Sequence, residues 1–278
     1  MHSSNLPKRV LSWKVLEQCN YRCSYCLQKT YGYDSNYREN IPEIVSRINQ
    51  CLDERYIIKI AGGEIFIKPN QAVLLAKEIS KYEHWISLCT NFSASVEDYC
   101  RFIEASQGKL HKFAASLHTE YADPEVFLQK CLQIKRELPY CGKIQVHNVI
   151  PRGVENIKKL GEIKKRFDAE NIIFYTDLLV DEKGKYIPYT SEEKQAIDRC
   201  LGGEDRIFRN TGKLCGAGES YFVLLPNLDA WTCWEAWYEN SRKYYLGNMM
   251  DGTFAFSNKM TLCPFETCSC PTPLFNSK

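Results

Sequence analysis

Cys19, Cys23 and Cys26 form a C-x3-C-x2-C run in "EQCNYRCSYCLQK". Structural zinc takes four ligands in a closed tetrahedron, usually one C-x2-C pair and a second pair elsewhere. Three thiolates on a loop leaving a strand better suit a cubane iron–sulfur cluster. Such clusters are normally held by four cysteines, so with three one iron stays open to a non-protein ligand. An open iron is a place for chemistry as well as structure, although zinc is an alternative that the spacing alone leaves open. Further along, "IKIAGGEIF" ends a β-rich run with Gly62-Gly63-Glu64. Glycines let a backbone approach a ligand closely, and a carboxylate pairs with a cation. Taken alone, the tripeptide is more often a plain turn. A third group, Cys215, Cys233, Cys263, Cys268 and Cys270, falls late in the chain.

The elements that must carry these groups alternate over the first two thirds of the sequence. "RVLSWKVLEQC" reads as a strand, with Val10, Ser12, Lys14 and Leu16 on one side and Leu11, Trp13 and Val15 on the other. "NIPEIVSRINQCL" follows with helical spacing, "YIIKIAGGE" is a strand, and "NQAVLLAKEISKY" is a helix with Asn70 as candidate N-cap. Strands "WISLCTN", "KFAASLH", "KIQVHNVI" and "NIIFYTDLL" alternate with helices "VEDYCRFIEA", "DPEVFLQKCLQIKREL" and "VENIKKLGEIKKRF". Six strands and five helices alternate, as βαβ units with a parallel sheet require. "VDEKGKYIPYTSEE" reads as a linker, and "SYFVLLPNLDAWTCW" as a hairpin around Pro226-Asn227-Leu228-Asp229. The expected boundary lies near residue 185, giving regions 1–185 and 186–278.

With 278 residues the chain can bury roughly 75% of its unfolded surface, so a core needs no disulfide staples. The 14 cysteines therefore call for another account. No apolar h-region opens the sequence and no run approaches a membrane span, which points to a cytoplasmic chain. Thiols clustered in that compartment read as metal ligands or catalysts. Cys51, Cys89, Cys100, Cys131, Cys141 and Cys200 are scattered and read as small buried hydrophobes. Lys plus Arg number 36 against 34 for Asp plus Glu, a near-balance that gives no sign of the basic footprint of a nucleic-acid binder. The local run "IKKLGEIKKRF" reads as a solvated helix face.

The loop "CNYRCSYC", with Asn20 and Arg22 between the first cysteines and Tyr25 before the last, resembles the hallmark of the radical S-adenosylmethionine (radical SAM) superfamily. The resemblance implies a partial (β/α)6 TIM-like barrel. It also implies a [4Fe–4S] cluster on Cys19, Cys23 and Cys26 whose open iron chelates the methionine part of SAM. One-electron reduction then yields a 5′-deoxyadenosyl radical that removes hydrogen from a substrate, chemistry that belongs to the cofactor. Gly62, Gly63 and Glu64 stand where the superfamily binds the methionine ammonium, although Ile65 replaces the usual proline. Tyr25, Asn91, Ser116 and Asn148 are further implied SAM contacts, the last three near strand ends on the rim where barrels place their sites. His118 is either a proton donor or a hydrogen-bonded rim residue, and His147 is expected to face into packing.

The cysteine-rich tail, with its "LGNMMDG" stretch, resembles the SPASM and shorter twitch extensions of these enzymes. It implies one auxiliary [4Fe–4S] cluster held by Cys215, Cys233 and two of Cys263, Cys268 and Cys270, with zinc again the alternative. Trp231, Trp234 and Trp237 flank Cys233 and would shield that site, line a pocket or simply pack. An auxiliary cluster would accept an electron or ligate substrate. The expected reaction is oxidation of a small polar substrate of sugar or aminocyclitol type, as in the butirosin-pathway aminocyclitol dehydrogenase. Peptide or protein maturation is the alternative, and a non-enzymatic metal-binding scaffold is a remote one. A first strand starting near residue 9 leaves no room for a leader-peptide module, which favours the small substrate. A one-electron reductant such as flavodoxin or ferredoxin is the expected partner, with neither nucleic acid nor membrane. Arg152, Tyr175, Asp177 and Glu235 are unranked candidates for taking a substrate proton.

Overall fold

Alternating β-branched runs and amphipathic helices fold here into one large sheet with helices along one face. The structure, a computed structural model, describes residues 6–27, 40–137, 143–202, 208–209, 211–257 and 260–268. Strands β1 (Arg9–Leu16), β2 (Tyr56–Gly62), β3 (Trp85–Thr90), β4 (Leu110–Ser116), β5 (Lys143–Val149) and β6 (Ile173–Asp177) pair in parallel, in chain order. Helices α1 (Ile41–Cys51), α2 (Pro69–Ser80), α3 (Val96–Ala105), α4 (Pro124–Glu137) and α5 (Val154–Ala169) connect them. The expected partial barrel is present, and the sheet is not closed.

One face of each strand packs on the helices. Leu11, Trp13, Ile58, Ile60, Ile86, Leu88, Phe113 and Val146 are buried with Ile44, Leu75, Phe102 and Ile157 in a single core. Because side chains alternate along a strand, the residues between them point to the opposite, helix-free face. Late strands β9 (Tyr221–Leu224) and β10 (Asp229–Trp231) form the expected hairpin, with Leu228 at a φ of 66° in its turn. The hairpin continues the same sheet: β9 pairs parallel with β1, and β11 (Tyr245–Asn248) closes the row beyond β10. β1 is thereby central, which is why it is buried on both sides.

Two local features differ from the sequence expectation. Helix α2 begins at Pro69 with Lys68 as N-cap, so Asn70 is not the cap. Proline sets the helical φ and has no N–H to satisfy at the first position, and Asn70 instead accepts a 2.7 Å hydrogen bond from Arg101. The stretch read as a linker ends in a further helix, α6 (Ser191–Leu201). Thr190 and Glu193 close a reciprocal capping box at its start. That signal was legible as "TSEE". Helix α6 packs so tightly on α5 that a Cβ at Gly161 would lie 2.8 Å from Cys200.

The basic run of α5 is solvated as expected, with Lys158–Glu155, Lys165–Glu162 and Lys164–Asp168 ion pairs on its surface. Of the scattered cysteines Cys131 is fully buried, Cys51, Cys89, Cys100 and Cys200 are half-buried, and Cys141 lies outside the described residues. No helix among the described residues is long and apolar enough to cross a membrane.

Candidate active site

The cysteine loop leaves the end of β1 and is fixed from two neighbouring strand ends. After β3, the Asn91 side chain donates to Asn20 Oδ1 at 2.7 Å and lies 3.8 Å from Cys19 Sγ, while Asn20 donates to Ser93 at 2.9 Å. After β4, Tyr121 accepts a 3.0 Å bond from the Arg22 N–H and stacks on Tyr21 at 4.5 Å. Glu120 accepts from the Ser24 N–H at 2.9 Å and from its hydroxyl. Tyr25 hydroxyl meets His118 Nδ1 at 2.8 Å, so His118 is a hydrogen-bonded rim residue. These contacts hold Cys19, Cys23 and Cys26 within electrostatic reach of one another. Burial first, then the neighbouring thiols, pushes the Cys23 thiol up to about 11. A bound cation would reverse that shift, because metals take the thiolate.

Gly62 and Gly63 explain how β2 meets this loop. A Cβ on Gly62, which has a φ of 149°, would fall 2.4 Å from the Leu16 carbonyl oxygen, and one on Gly63 would fall 2.0 Å from that of Gln18. Gly63 N–H donates to Leu16 O at 2.9 Å and Glu64 N–H to Gln18 O at 2.8 Å. The close approach these glycines permit is therefore to the chain's own loop entry. Glu64 is fully buried. Its Oε1 accepts from Phe66 N–H and its Oε2 from Asn91 N–H, at 2.9 and 2.6 Å, and Thr90 hydroxyl lies within 3.0 Å of both. Three donors use most of a carboxylate's roughly four acceptor positions. Burial outweighs them and pushes Glu64 up to about 7. A short 3₁₀ turn, Ile65–Ile67, follows where proline is usual, and the Glu64 side chain caps it.

Beside the loop lies a cleft of about 1060 Å³. It is lined on one side by Ser24, Tyr25 and Cys26, and on the other by Asn148, Ile150, Arg152, Lys159, Leu179 and Val180. Tyr25 and Asn148 thus share it, with Asn148 donating to Leu117 O at 2.6 Å. Ser116 does not line it; register sets Ser116 beside His147 on the helix-free face. His147 also departs from expectation. Rather than facing packing it is half-buried, 3.1 Å from Asp177 and 5.2 Å between ring centroids from Tyr175. The strand parity was read correctly, but the helix-free face here is polar. Arg152 is held by Glu193 at 3.0 Å, while Tyr175 and Asp177 sit with His147.

The tail cysteines occupy the helix-free face near the start of β1. Short ribbons, β7 (Phe208–Arg209) with β13 (Thr267–Cys268) and β8 (Leu214–Cys215) with β12 (Thr261–Leu262), carry Cys268 and Cys215, and Cys263 directly follows β12. Cys215, Cys233, Cys263 and Cys268 gather with Val10, Tyr221, Val223, Trp231 and Phe265, each thiol raised first by burial where a shift is seen. Each of these four also feels the charge of at least one other. Cys270 lies outside the described residues. Cys233 precedes the short helix α7 (Trp234–Tyr238), whose Trp237 covers the Lys14 ammonium at 4.9 Å. Trp231 packs in the cluster and Trp234 and Trp237 against it. Glu235 is an electrostatic neighbour of three of these thiols, Cys215, Cys233 and Cys263. Among the described residues no three His, Cys, Asp or Glu side chains form the tight shell of a single metal ion. The donor chemistry, all soft thiols in two groups, fits iron–sulfur clusters.

No protein-family model matches the chain. An S-adenosylmethionine-dependent nucleotide dehydratase of Fibrobacter sp. (strain UWH6) is 28% identical over 106 residues, 36% of this chain and 32% of that protein. A GTP 3′,8-cyclase of Campylobacter lari is 33% identical over 86 residues, 30% of this chain and 26% of that protein. The chain thus spans about a third or less of the length of these two curated relatives. Its fold overlays the solved structure "Native anSMEcpe with bound AdoMet and Cp18Cys peptide" with a TM-score of 0.58 at 17% identity, over 88% of this chain and 78% of that one. The chain is thus similar over part of its length to S-adenosylmethionine-dependent enzymes, and its fold is similar to that of a protein solved with AdoMet bound. The entry to the three-cysteine loop and the Gly-Gly-Glu turn meet at one rim, where two direct backbone hydrogen bonds join them. Asn91 links the two, through Glu64 at its N–H and the cysteine loop at its side chain. What the sequence did not indicate is the role of Thr90, Glu120 and Tyr121, which carry no motif and are found only by proximity.

Proposed function

We propose that this protein is a radical SAM enzyme that abstracts hydrogen from a small polar substrate and oxidises it, aided by an auxiliary cluster. The observation that carries this is the convergence of the cysteine loop, the Gly-Gly-Glu turn and the cleft at one rim. In this assignment Cys19, Cys23 and Cys26 hold a [4Fe–4S] cluster, and Cys215, Cys233, Cys263 and Cys268 hold a second. The bound cluster and SAM supply the electron transfer and radical that start hydrogen abstraction. The chain's own part is placement. Asn91, Glu120 and Tyr121 fix the loop, and Tyr25 is oriented by His118 beside the cleft. Glu64 has one acceptor position left for a methionine ammonium, and its raised pKa means a cation there would restore its charge. The substrate side is the helix-free face, between the loop and the tail cysteines.

Anaerobic reconstitution with iron and sulfide, followed by reduction with SAM present, tests the assignment. About eight irons per chain and release of 5′-deoxyadenosine are expected. Zinc alone with no 5′-deoxyadenosine would make the chain a metal-binding scaffold instead. Deuterated candidate substrates then report their class by label transfer into 5′-deoxyadenosine. Transfer from a peptide and from no small molecule would replace the small-substrate assignment with peptide modification.

A further inference from the structure

The helix-free face carries a feature that neither cysteine site uses. Pairing register sets Ser12 beside Lys59, Lys59 beside Ser87, and Ser87 beside Lys112, so the four form one row across β1 to β4. One step nearer the cysteine-loop rim on β2, β3 and β4 come Ala61, Cys89 and Ala114. These small side chains leave room above the row. Gln145 stands beside Ala114 on the same face; it is 7% exposed, and its Oε1 has no hydrogen-bond partner among the described residues.

The charges in this row are not balanced locally. Among the described residues neither Lys59 nor Lys112 makes a hydrogen bond or an ion pair. The groups that act on Lys112 are Lys59 and the Cys89 thiol, and burial followed by Lys59 pushes its ammonium down. The carboxylates that share this face are engaged elsewhere. Glu17 binds Lys14 at 2.8 Å, Asp177 meets His147 at 3.1 Å, and Glu235 sits with the tail thiols. Two ammonium groups separated by a single strand on a partly buried surface repel each other and lose hydration. An oxyanion between them removes both costs and gains charge-assisted hydrogen bonds.

We infer that Lys59 and Lys112 hold an oxyanion of the substrate, a carboxylate or phosphate, while Gln145 accepts a hydrogen bond from a neighbouring hydroxyl or amine. This rests on the proposed radical reaction, because it places the substrate on the face between the two cysteine sites. It narrows the substrate from polar to anionic, and it disfavours an aminocyclitol that carries only amines.

Titration calorimetry of the reconstituted protein with inorganic phosphate and, separately, succinate tests the site. Binding of either anion should weaken roughly tenfold or more in the Lys59→Gln/Lys112→Gln double variant. Which of the two binds names the oxyanion. Acetylation footprinting of the wild-type protein does not depend on a variant folding. Lys59 and Lys112 should be protected by the binding anion, while exposed Lys81 should not. Equal affinity in wild type and variant, or no protection by either anion, overturns the inference. Wild-type SAM cleavage is measured alongside. Protection without 5′-deoxyadenosine sinks the radical reaction and keeps the anion site, whereas 5′-deoxyadenosine without protection does the reverse.

Discussion

The two cysteine sites are built in opposite ways. Cys19, Cys23 and Cys26 sit on one short loop, which a hydrogen bond from Asn91 and bonds accepted by Glu120 and Tyr121 pin to the strand ends. Cys215, Cys233, Cys263 and Cys268 come from separate ribbons and turns and meet in an apolar cluster against Val10 and Tyr221. The first site is spaced by local chain geometry and needs the fold only for orientation. The second exists only because the hairpin joins β1 and brings the tail across the helix-free face. Damage at one should therefore travel differently from damage at the other.

The sharpest break in the comparison comes from the cysteines themselves. Cys23→Ala should abolish 5′-deoxyadenosine release and remove about four irons per chain. Cys215→Ala should remove a similar number while 5′-deoxyadenosine release persists, as iron analysis beside product chromatography would show. If Cys215→Ala also silences SAM cleavage, the sites are not independent. Within the tail, Cys268→Ala should lower iron content and Cys270→Ala should not; the reverse result would move the fourth ligand.

Backbone crowding gives the next effect. Gly63→Ala places a methyl 2.0 Å from the Gln18 carbonyl oxygen, where only a shift of the loop entry relieves the clash. We expect destabilisation of about 3 kcal/mol or more in a denaturant melt, with loss of the first site's iron before the second's. Glu64 adds a pH signature to the same side. Its carboxyl is raised in the fold from 4.5 to about 7, so its contribution to stability is full below pH 4.5 and is lost as pH rises through about 7. That amounts to about 3 kcal/mol in the metal-free protein. Glu64→Gln does not titrate, so the stability difference between wild type and variant should change across this window; a parallel pair of pH profiles would refute the assignment. The smallest effect expected is that of Tyr121→Phe, which removes the hydroxyl that accepts from the Arg22 N–H. About 1 kcal/mol of stability should go, read as a lower melting temperature, with the tail site's iron unchanged.

Much of the barrel was legible because each βα unit advertises itself locally. Alternating apolar residues mark β1 to β6, and helical spacing marks α1 to α5, so the order of elements follows from pattern alone. The first helical turn of α2 misled because Asn70 is a good cap in isolation, yet Pro69 one residue earlier starts the helix. Helix α6 was passed over although its capping box was in plain view, since polar flanks drew "TSEE" into a loop. At the site, the cysteine motif and Gly-Gly-Glu were visible as types and spacing. The reason for the glycines was not, because the Leu16 and Gln18 carbonyls that crowd them belong to another strand.

By itself the sequence determined the kinds of chemistry available: three thiols at a loop spacing, a Gly-Gly-Glu turn, a reserve of thiols in the tail, and a repeating βα order. Those depend on neighbours along the chain, and local geometry is enough to express them. Only the tertiary structure decided which distant groups meet. Strand register placed Lys59 and Lys112 in one row on either side of Ser87, the β1–β9 pairing turned the tail thiols onto the helix-free face, and β4 delivered Glu120 and Tyr121 to the cysteine loop. The physical reason is that cross-strand neighbours are set by the pairing of whole hydrophobic faces, which no short stretch of sequence encodes.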